Sequence, residues 1–228
     1  MKPVIRVIIP AFNEENGVGN VINEIPKELV EEVIVVNNAS TDDTEKVAGD
    51  AGATVLREPT KGYGRACLKG IDYITSKGNT DIIVFLDADY SDHPQEMYQV
   101  VKPIIDDKAD LVIGSRALGQ RERGAMTPQQ VFGNWLATSL LRLFYGVRFT
   151  DLGPFRAIRY DRLMALEMKD RNYGWTVEMQ LKAAKLNLNC TEVAVNYRRR
   201  IGFSKVSGTV KGTIMAGYKI IWTIFKYI

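Results

Sequence analysis

The first half of the chain alternates continuous apolar runs with amphipathic stretches. Val4–Pro10 (VIRVIIP), Val33–Asn37 (VIVVN), Ile82–Leu86 (IIVFL) and Leu111–Gly114 (LVIG) have strand length and β-branched character, the pattern of parallel strands buried on both faces. Between them Gly17–Ile25, Thr44–Ala51, Gly64–Thr75 and Gln95–Ile105 carry helical spacing, with Thr41 or Asp42 as a cap ahead of the second. This alternation predicts βαβ units, hence an α/β fold on a mostly parallel sheet. Each of the four strands runs into a polar cluster: Ala11-Phe12-Asn13-Glu14, Asn38-Ala39-Ser40-Thr41-Asp42, Asp87-Ala88-Asp89 and Ser115-Arg116. Ligands of open α/β sheets sit beyond the carboxyl ends of the strands, so the four clusters should border one crevice.

The second half is less regular. Leu118–Thr127 is a charged loop, expected to close over an acceptor, with Arg121 and Arg123 in it. Gln129–Phe144 and Thr176–Leu186 read as helices, Cys190–Val195 as a strand and Arg198–Arg200 as a basic run. In Val210–Ile228, Ile214, Tyr218, Ile221, Trp222 and Phe225 form a helical stripe while Lys211, Lys219 and Lys226 recur on another face. The lysines break the stretch into pieces too short for a span. It is expected either to pack on its own domain or to lie on a membrane surface. No repeat or linker divides the chain, which predicts one domain over residues 1–209 followed by a C-terminal amphipathic helix over 210–228.

Composition narrows the chemistry. With 228 residues, 46% hydrophobic and 25% charged, the chain can bury a substantial core. A net charge of +3 without a basic stripe argues against nucleic acid. Two cysteines, Cys67 and Cys190, make no disulfide framework, and the start lacks a signal-peptide layout, so a reducing, cytoplasmic setting is expected. One histidine, His93, rules out a multi-histidine metal centre.

Asp87-Ala88-Asp89 places two carboxylates one residue apart after a buried strand, where both can reach one divalent cation. Aspartates also cap turns, and the pair alone does not decide between these roles. Lys61-Gly62-Tyr63-Gly64 ahead of a helix offers backbone amides and an ammonium to an anion, or simply a turn.

Pro10-Ala11-Phe12-Asn13-Glu14, Asn37-Asn38-Ala39-Ser40-Thr41-Asp42, Lys61-Gly62-Tyr63-Gly64, Asp87-Ala88-Asp89 and Gly114-Ser115-Arg116, in that order, resemble the nucleotide-sugar-binding half of glycosyltransferase family 2. Tyr173-Gly174-Trp175-Thr176-Val177-Glu178-Met179 and Arg200-Ile201-Gly202-Phe203-Ser204-Lys205 are similar to its polyprenyl-phosphate branch, typified by dolichyl-phosphate mannose synthase. The resemblance implies a GT-A fold, a Rossmann-like sheet flanked by helices, with a nucleotide-sugar half over about 1–116 and a smaller acceptor-side half over 117–209. It implies inverting transfer of a hexose from a nucleotide diphosphate sugar with Mg²⁺ or Mn²⁺, most simply to polyprenyl phosphate. By the same resemblance Pro10, Ala11, Asn13, Glu14, Asn38, Asp42, Lys61, Gly64 and Ala88 border the nucleotide sugar. Asp87 and Asp89 approach ribose, metal and diphosphate, with Asp89 the better-placed ligand. Arg116, Arg200, Ser204 and Lys205 face phosphates; Arg123 is a further candidate for the acceptor phosphate by its place in the loop expected to close there, not by the resemblance. Arginine pairs bidentately with phosphate, and lysine adds a point charge where the leaving diphosphate gains charge.

The chain departs from the family pattern in three ways. Asn37-Asn38 stand where two aspartates are usual; the Asn38 amide can both donate to and accept from a uracil edge, which favours a UDP sugar over a GDP sugar. Asp151-Leu152-Gly153-Pro154-Phe155-Arg156 is shorter than the corresponding family segment, and the membrane helices of many relatives have no counterpart in the pattern. A phosphate acceptor is already anionic and needs no strong base; a hydroxyl acceptor would need one, with Asp151 and Glu178 the candidates. A transferase acting on a glycan or small-molecule hydroxyl, a nucleotidyltransferase and a non-catalytic nucleotide-sugar-binding module are the competing readings. The first strand leads into Ala11-Phe12-Asn13-Glu14 rather than a glycine-rich triphosphate loop, which weighs against the nucleotidyltransferase.

Overall fold

The computed structural model describes residues 2–202 and 210–227. Seven strands, β1 (Ile5–Ala11), β2 (Glu32–Asn37), β3 (Thr54–Arg57), β4 (Ile82–Phe85), β5 (Leu111–Ser115), β6 (Arg156–Arg159) and β7 (Cys190–Ala194), form one sheet in the order β3-β2-β1-β4-β6-β5-β7. All pairings are parallel except those of β6, which runs antiparallel between β4 and β5. Strands from both halves of the chain therefore share one sheet. The interior strand β1 is buried along its whole length, as its largely apolar run requires.

Alternation of side chains across the pleat divides the core in two. Ile8, Ile34, Val36, Ile83 and Phe85 point to the face covered by α3 (Tyr63–Lys77), α5 (Pro128–Tyr145), α6 (Tyr160–Leu166), α7 (Trp175–Lys185) and α8 (Val210–Lys226). Ile5, Val7, Ile9, Val35 and Val84 point to the other, covered by α1 (Val18–Glu24), α2 (Thr44–Asp50) and α4 (Met97–Ile105).

Within the second half of the chain α5 packs against both α7 and α8. A capping box fixes its start: the Gln130 amide N–H donates to Thr127 Oγ1 at 3.3 Å, and the Thr127 N–H donates to Gln130 Oε1 at 2.8 Å. Gly146, at φ 70°, ends it in the left-handed conformation that favours glycine. The helix α8 packs against α5 and α7: the Tyr145 hydroxyl donates to the Ile224 carbonyl at 2.8 Å, and the Phe144 and Phe225 rings meet edge-on at 5.4 Å. One stripe of α8 is therefore packed on its own domain. The other stays open, with Ile214, Tyr218 and Trp222 exposed, and Phe132, Trp135 and Leu143 of α5 are exposed as well. No helix among the described residues is long and apolar enough to cross a membrane.

Candidate active site

The carboxyl ends of β1, β2 and β4 open into a cleft of about 340 Å³. Pro10, Ala11, Phe12, Glu14, Asn38, Lys61, Asp87, Ala88, Asp89 and Arg200 line it, joined by Gly62, Tyr63, Asn172 and Tyr173. At its mouth the Lys61 ammonium stands 4.3 Å from the centre of the Phe12 ring, a cation held over an aromatic face. Asn13 and Asp42 do not reach the cleft wall. The Asn13 side-chain oxygen accepts from the Thr41 N–H at 2.8 Å, and Asp42 accepts from the N–H groups of Thr44 at 3.1 Å and Glu15 at 3.3 Å. Both hold the loops that shape the wall.

Asn38 lies in the cleft, but its amide is occupied within the protein. It donates to the carbonyls of Thr60 at 2.7 Å and Glu58 at 3.2 Å, and accepts from the Gly62 N–H at 2.7 Å. Both amide hydrogens are thus used within the protein, which leaves only the second lone pair of the side-chain oxygen for a ligand, and Asn38 fixes the loop that presents Lys61. The glycines of Lys61-Gly62-Tyr63-Gly64 serve packing as well. A Cβ on Gly64 would stand 2.0 Å from the Asp170 carbonyl oxygen, and one on Gly62 2.3 Å from that of Arg171. Only glycine lets the start of α3 approach the segment that delivers Asn172 and Tyr173.

The Asp87-Ala88-Asp89 turn forms the floor. Gly17 allows α1 to press on it, since a Cβ there would meet the Ala88 carbonyl at 2.7 Å. Asp89 accepts from the Ser91 N–H at 2.9 Å and from the Ser91 hydroxyl, while its other oxygen pairs with Arg200 at 3.2 Å. Arg200 also pairs with Glu14 at 2.8 Å, and its Nε–H is buried without a hydrogen-bond partner among the described residues. Asp87 receives the Tyr63 hydroxyl at 3.2 Å. Burial and the neighbouring Asp89 carboxylate push Asp87 up to about 7, against the pull of Arg200 and Arg116. Asp92, whose two oxygens also lack hydrogen-bond partners among the described residues, is pushed up in the same way by burial and by Asp87 and Asp89. Two buried, mutually repelling carboxylates are oxygen donors suited to Mg²⁺ or Mn²⁺, and a cation would relieve their repulsion. No trio of His, Cys, Asp or Glu among the described residues could hold a metal unaided, so substrate and water must complete its shell.

A second cavity of about 890 Å³ adjoins the cleft. Its walls are largely apolar, from α5 (Phe132, Leu136), α8 (Tyr218, Ile220, Ile221), Met126 and Leu152, and its polar residues include Arg116. Asp87, Asp89 and Arg200 line both cavities. Arg116 is held by Asp151, which accepts from its Nε at 2.7 Å, its Nη2 at 2.7 Å and its backbone N–H at 2.8 Å. The Tyr197 ring lies 5.0 Å from the Arg116 guanidinium.

Both candidate bases are enclosed by partners. Asp151 is 1% exposed, and both of its oxygens are engaged by Arg116. Glu178 is 0% exposed and lines neither cavity. It accepts from the Asp170 N–H at 2.7 Å and the Tyr227 hydroxyl at 2.7 Å and pairs with Lys182 at 2.8 Å; these partners hold its carboxyl below the ordinary range against the opposing effect of burial. The Leu118–Thr127 loop is not a free lid. Its backbone pairs with the 196–199 segment through Tyr197 N–H to Gln120 and Glu122 N–H to Tyr197, both 2.9 Å. Arg123 is exposed outside both cavities, its carbonyl accepting from Arg199 Nε at 2.7 Å. Ser204 and Lys205 lie outside the described residues. Sequence reasoning passed over Asn172 and Tyr197 and took Tyr63 only as a position in its glycine motif; Asp92, next to the aspartate pair, reads from the sequence as a candidate ligand through water.

Residues 6–166 match the family model described as Glycosyl transferase family 2. An uncharacterized glycosyltransferase of Mycobacterium tuberculosis is 34% identical over 93% of this chain and 94% of its own length. An undecaprenyl-phosphate mannosyltransferase of Micrococcus luteus is 30% identical over 91% of this chain and 89% of its own. Among solved structures, glucosyl-3-phosphoglycerate synthase from M. tuberculosis, in complex with Mn²⁺, UDP and phosphoglyceric acid, superposes with a TM-score of 0.75 at 25% identity, covering 99% of this chain and 78% of that one.

Proposed function

Because the chain belongs to glycosyltransferase family 2, we propose that it moves a hexose, with inversion, from a UDP sugar to the phosphate of a polyprenyl phosphate. One observation carries this reading: the polar cleft and the apolar cavity meet at Asp87, Asp89 and Arg200, with Arg116 on the apolar side. A donor diphosphate at that junction and a lipid phosphate on Arg116 would bring the anomeric carbon and the attacking oxygen together. The apolar walls of α5 and α8 suit an isoprenoid chain, which a small hydrophilic acceptor would leave without a role. The relative that acts on undecaprenyl phosphate supports the acceptor. The structural neighbour with UDP and Mn²⁺ supports the donor, since the Asn38 amide does not.

Phe12 and Lys61 would hold the base, and Glu14 would keep Arg200 aimed at the junction. The unpaired Nε–H of Arg200 would meet a diphosphate oxygen as charge builds on the leaving group. When bound, Mg²⁺ or Mn²⁺ on Asp87 and Asp89 would neutralise that same charge. Arg116, fixed by Asp151, would orient the acceptor phosphate, whose own charge makes a general base unnecessary. The open apolar stripe of α8 and its neighbours on α5 would rest on a membrane surface, where such an acceptor resides.

Thermal midpoints measured with UDP plus Mn²⁺, GDP plus Mn²⁺, a short polyprenyl phosphate and the matching polyprenol test both halves of the site. Stabilisation by UDP over GDP and by the phosphate over the alcohol is expected. Indifference to both nucleotides would overturn the donor site, and equal response to phosphate and alcohol the acceptor site.

A further inference from the structure

A third cavity, of about 220 Å³, lies between the segment preceding α7 and the end of α8, and the proposed transfer leaves it without a role. Lys169, Arg171, Lys219 and Lys226 line it, together with the indole of Trp222. Two acids also border it, and both are engaged. Asp170 accepts from the Asn172 N–H at 2.7 Å and the Gly174 N–H at 3.1 Å and pairs with Lys219 at 3.0 Å. Glu178 is enclosed by the N–H groups of Lys169 and Asp170, the Tyr227 hydroxyl and Lys182. The contact of Lys169 with Glu167, 3.6 Å between exposed side chains, contributes little in water. Among the described residues Arg171 and Lys226 have no ion-pair partner, and the Lys226 ammonium stands 5.2 Å from the centres of both the Trp222 and Tyr227 rings. The cavity is thus a cationic recess with an aromatic wall, of a size to take a phosphate group.

Its position gives the source of that phosphate. Trp222 belongs both to the wall of the recess and to the exposed apolar stripe of α8, so the recess opens at the edge of the face assigned to the membrane. We propose that it binds the phosphate of an anionic lipid headgroup when that face rests on a bilayer; this rests on the membrane-surface reading above. The same segment presents Lys169 and Arg171 to the recess and Asn172 and Tyr173 to the donor cleft. A headgroup would thus be held by the wall that also borders the donor.

Sedimentation of the full chain with vesicles of phosphatidylcholine alone, or with a third of phosphatidylglycerol, tests the proposal. Anionic vesicles should bind the protein more tightly than neutral ones. The double variant R171A/K226A should lose about thirtyfold in affinity for them, because each cation near an anionic surface contributes about fivefold. It should keep the neutral-vesicle affinity. The control K27A/K46A removes the same charge from exposed lysines remote from the recess and should change little. Equal losses in the two variants, or no preference of the parent chain for anionic vesicles, would overturn the proposal. So would calorimetric binding of inorganic phosphate that R171A/K226A abolishes while vesicle binding stays intact. Sugar transfer to a detergent-dispersed short polyprenyl phosphate checks the underlying reading separately: R171A/K226A should retain it, and its absence in the parent chain would count against the function rather than the recess.

Discussion

Replacing Asp151 separates a positioning carboxylate from a catalytic base. Its two oxygens each receive a guanidinium N–H of Arg116 at 2.7 Å, and one also takes the Arg116 backbone N–H at 2.8 Å; the two side chains are 1% and 11% exposed. Removing one partner of such a buried pair strands the other charge and costs about 3–5 kcal/mol. For a chain of this size that corresponds to a fall in Tm of about 6–20 °C. D151A should show that fall, together with a raised KM for the acceptor and an unchanged KM for the donor. The double variant D151A/R116M leaves no stranded cation, so it should recover much of the Tm while acceptor binding stays weak, a coupling readable in a double-mutant cycle. In the variants that turn over, the pH dependence of kcat should keep its shape, because no proton passes to Asp151. A normal Tm in D151A with a lost acidic limb in the pH profile would show instead that Asp151 is the base.

Three further outcomes follow from the geometry. D89N should abolish metal-dependent UDP binding and transfer while keeping or raising the Tm of the metal-free protein, since it removes a charge that repels Asp87; calorimetry with UDP and Mn²⁺, with and without the variant, checks this. G64A should cost about 1–3 kcal/mol by overpacking, because its Cβ would stand 2.0 Å from the Asp170 carbonyl oxygen, and should raise the donor KM by displacing Asn172 and Tyr173. The metal-free protein should lose stability as pH rises. Asp87 ionises near 3.8 when unfolded but at about 7 when folded, so the stability associated with its bound proton is complete below about 4 and is withdrawn as pH rises through about 7. Denaturant melts from pH 4 to 8 measure this, and a midpoint rising across that window would contradict it.

The pattern of the chain exposed the elements with strong periodicity and hid those made by their neighbours. β1, β2, β4, β5 and β7 are visible as apolar runs, and the helices α1 to α5 and α7 as amphipathic ones. β3 escaped because its four residues sit at the sheet edge, half-exposed and without a continuous apolar signal. β6, Arg-Ala-Ile-Arg, reads as charged, yet Arg156 is wholly buried, donating to the carbonyls of Leu152, Gly153 and Thr176. Partners of that kind come from the assembled fold and leave no trace in a local window. The site followed the same rule. Asp87, Asp89, Glu14, Lys61, Arg116 and Arg200 are legible as polar residues in motif order, and the fold gathers them around two adjoining cavities. The partners of Asn38, Asp151 and Glu178 were not legible, because each is set by hydrogen bonds to segments distant in the sequence or by a buried ion pair. The packing role of the glycines of Lys61-Gly62-Tyr63-Gly64 was not legible for the same reason: the backbone that presses on them lies about a hundred residues away.

The most direct test of the account is product analysis by mass spectrometry after incubating the purified chain with Mn²⁺, a panel of UDP and GDP hexoses, and three acceptors offered separately: a short polyprenyl phosphate, the matching polyprenol and 3-phosphoglycerate. A hexosyl-phosphate lipid formed from a UDP sugar, with none from the polyprenol or the phosphoglycerate, is the predicted result. A glycosylated phosphoglycerate with the lipid phosphate untouched would contradict the claim that the apolar cavity beside Asp87, Asp89 and Arg200 receives an isoprenoid chain.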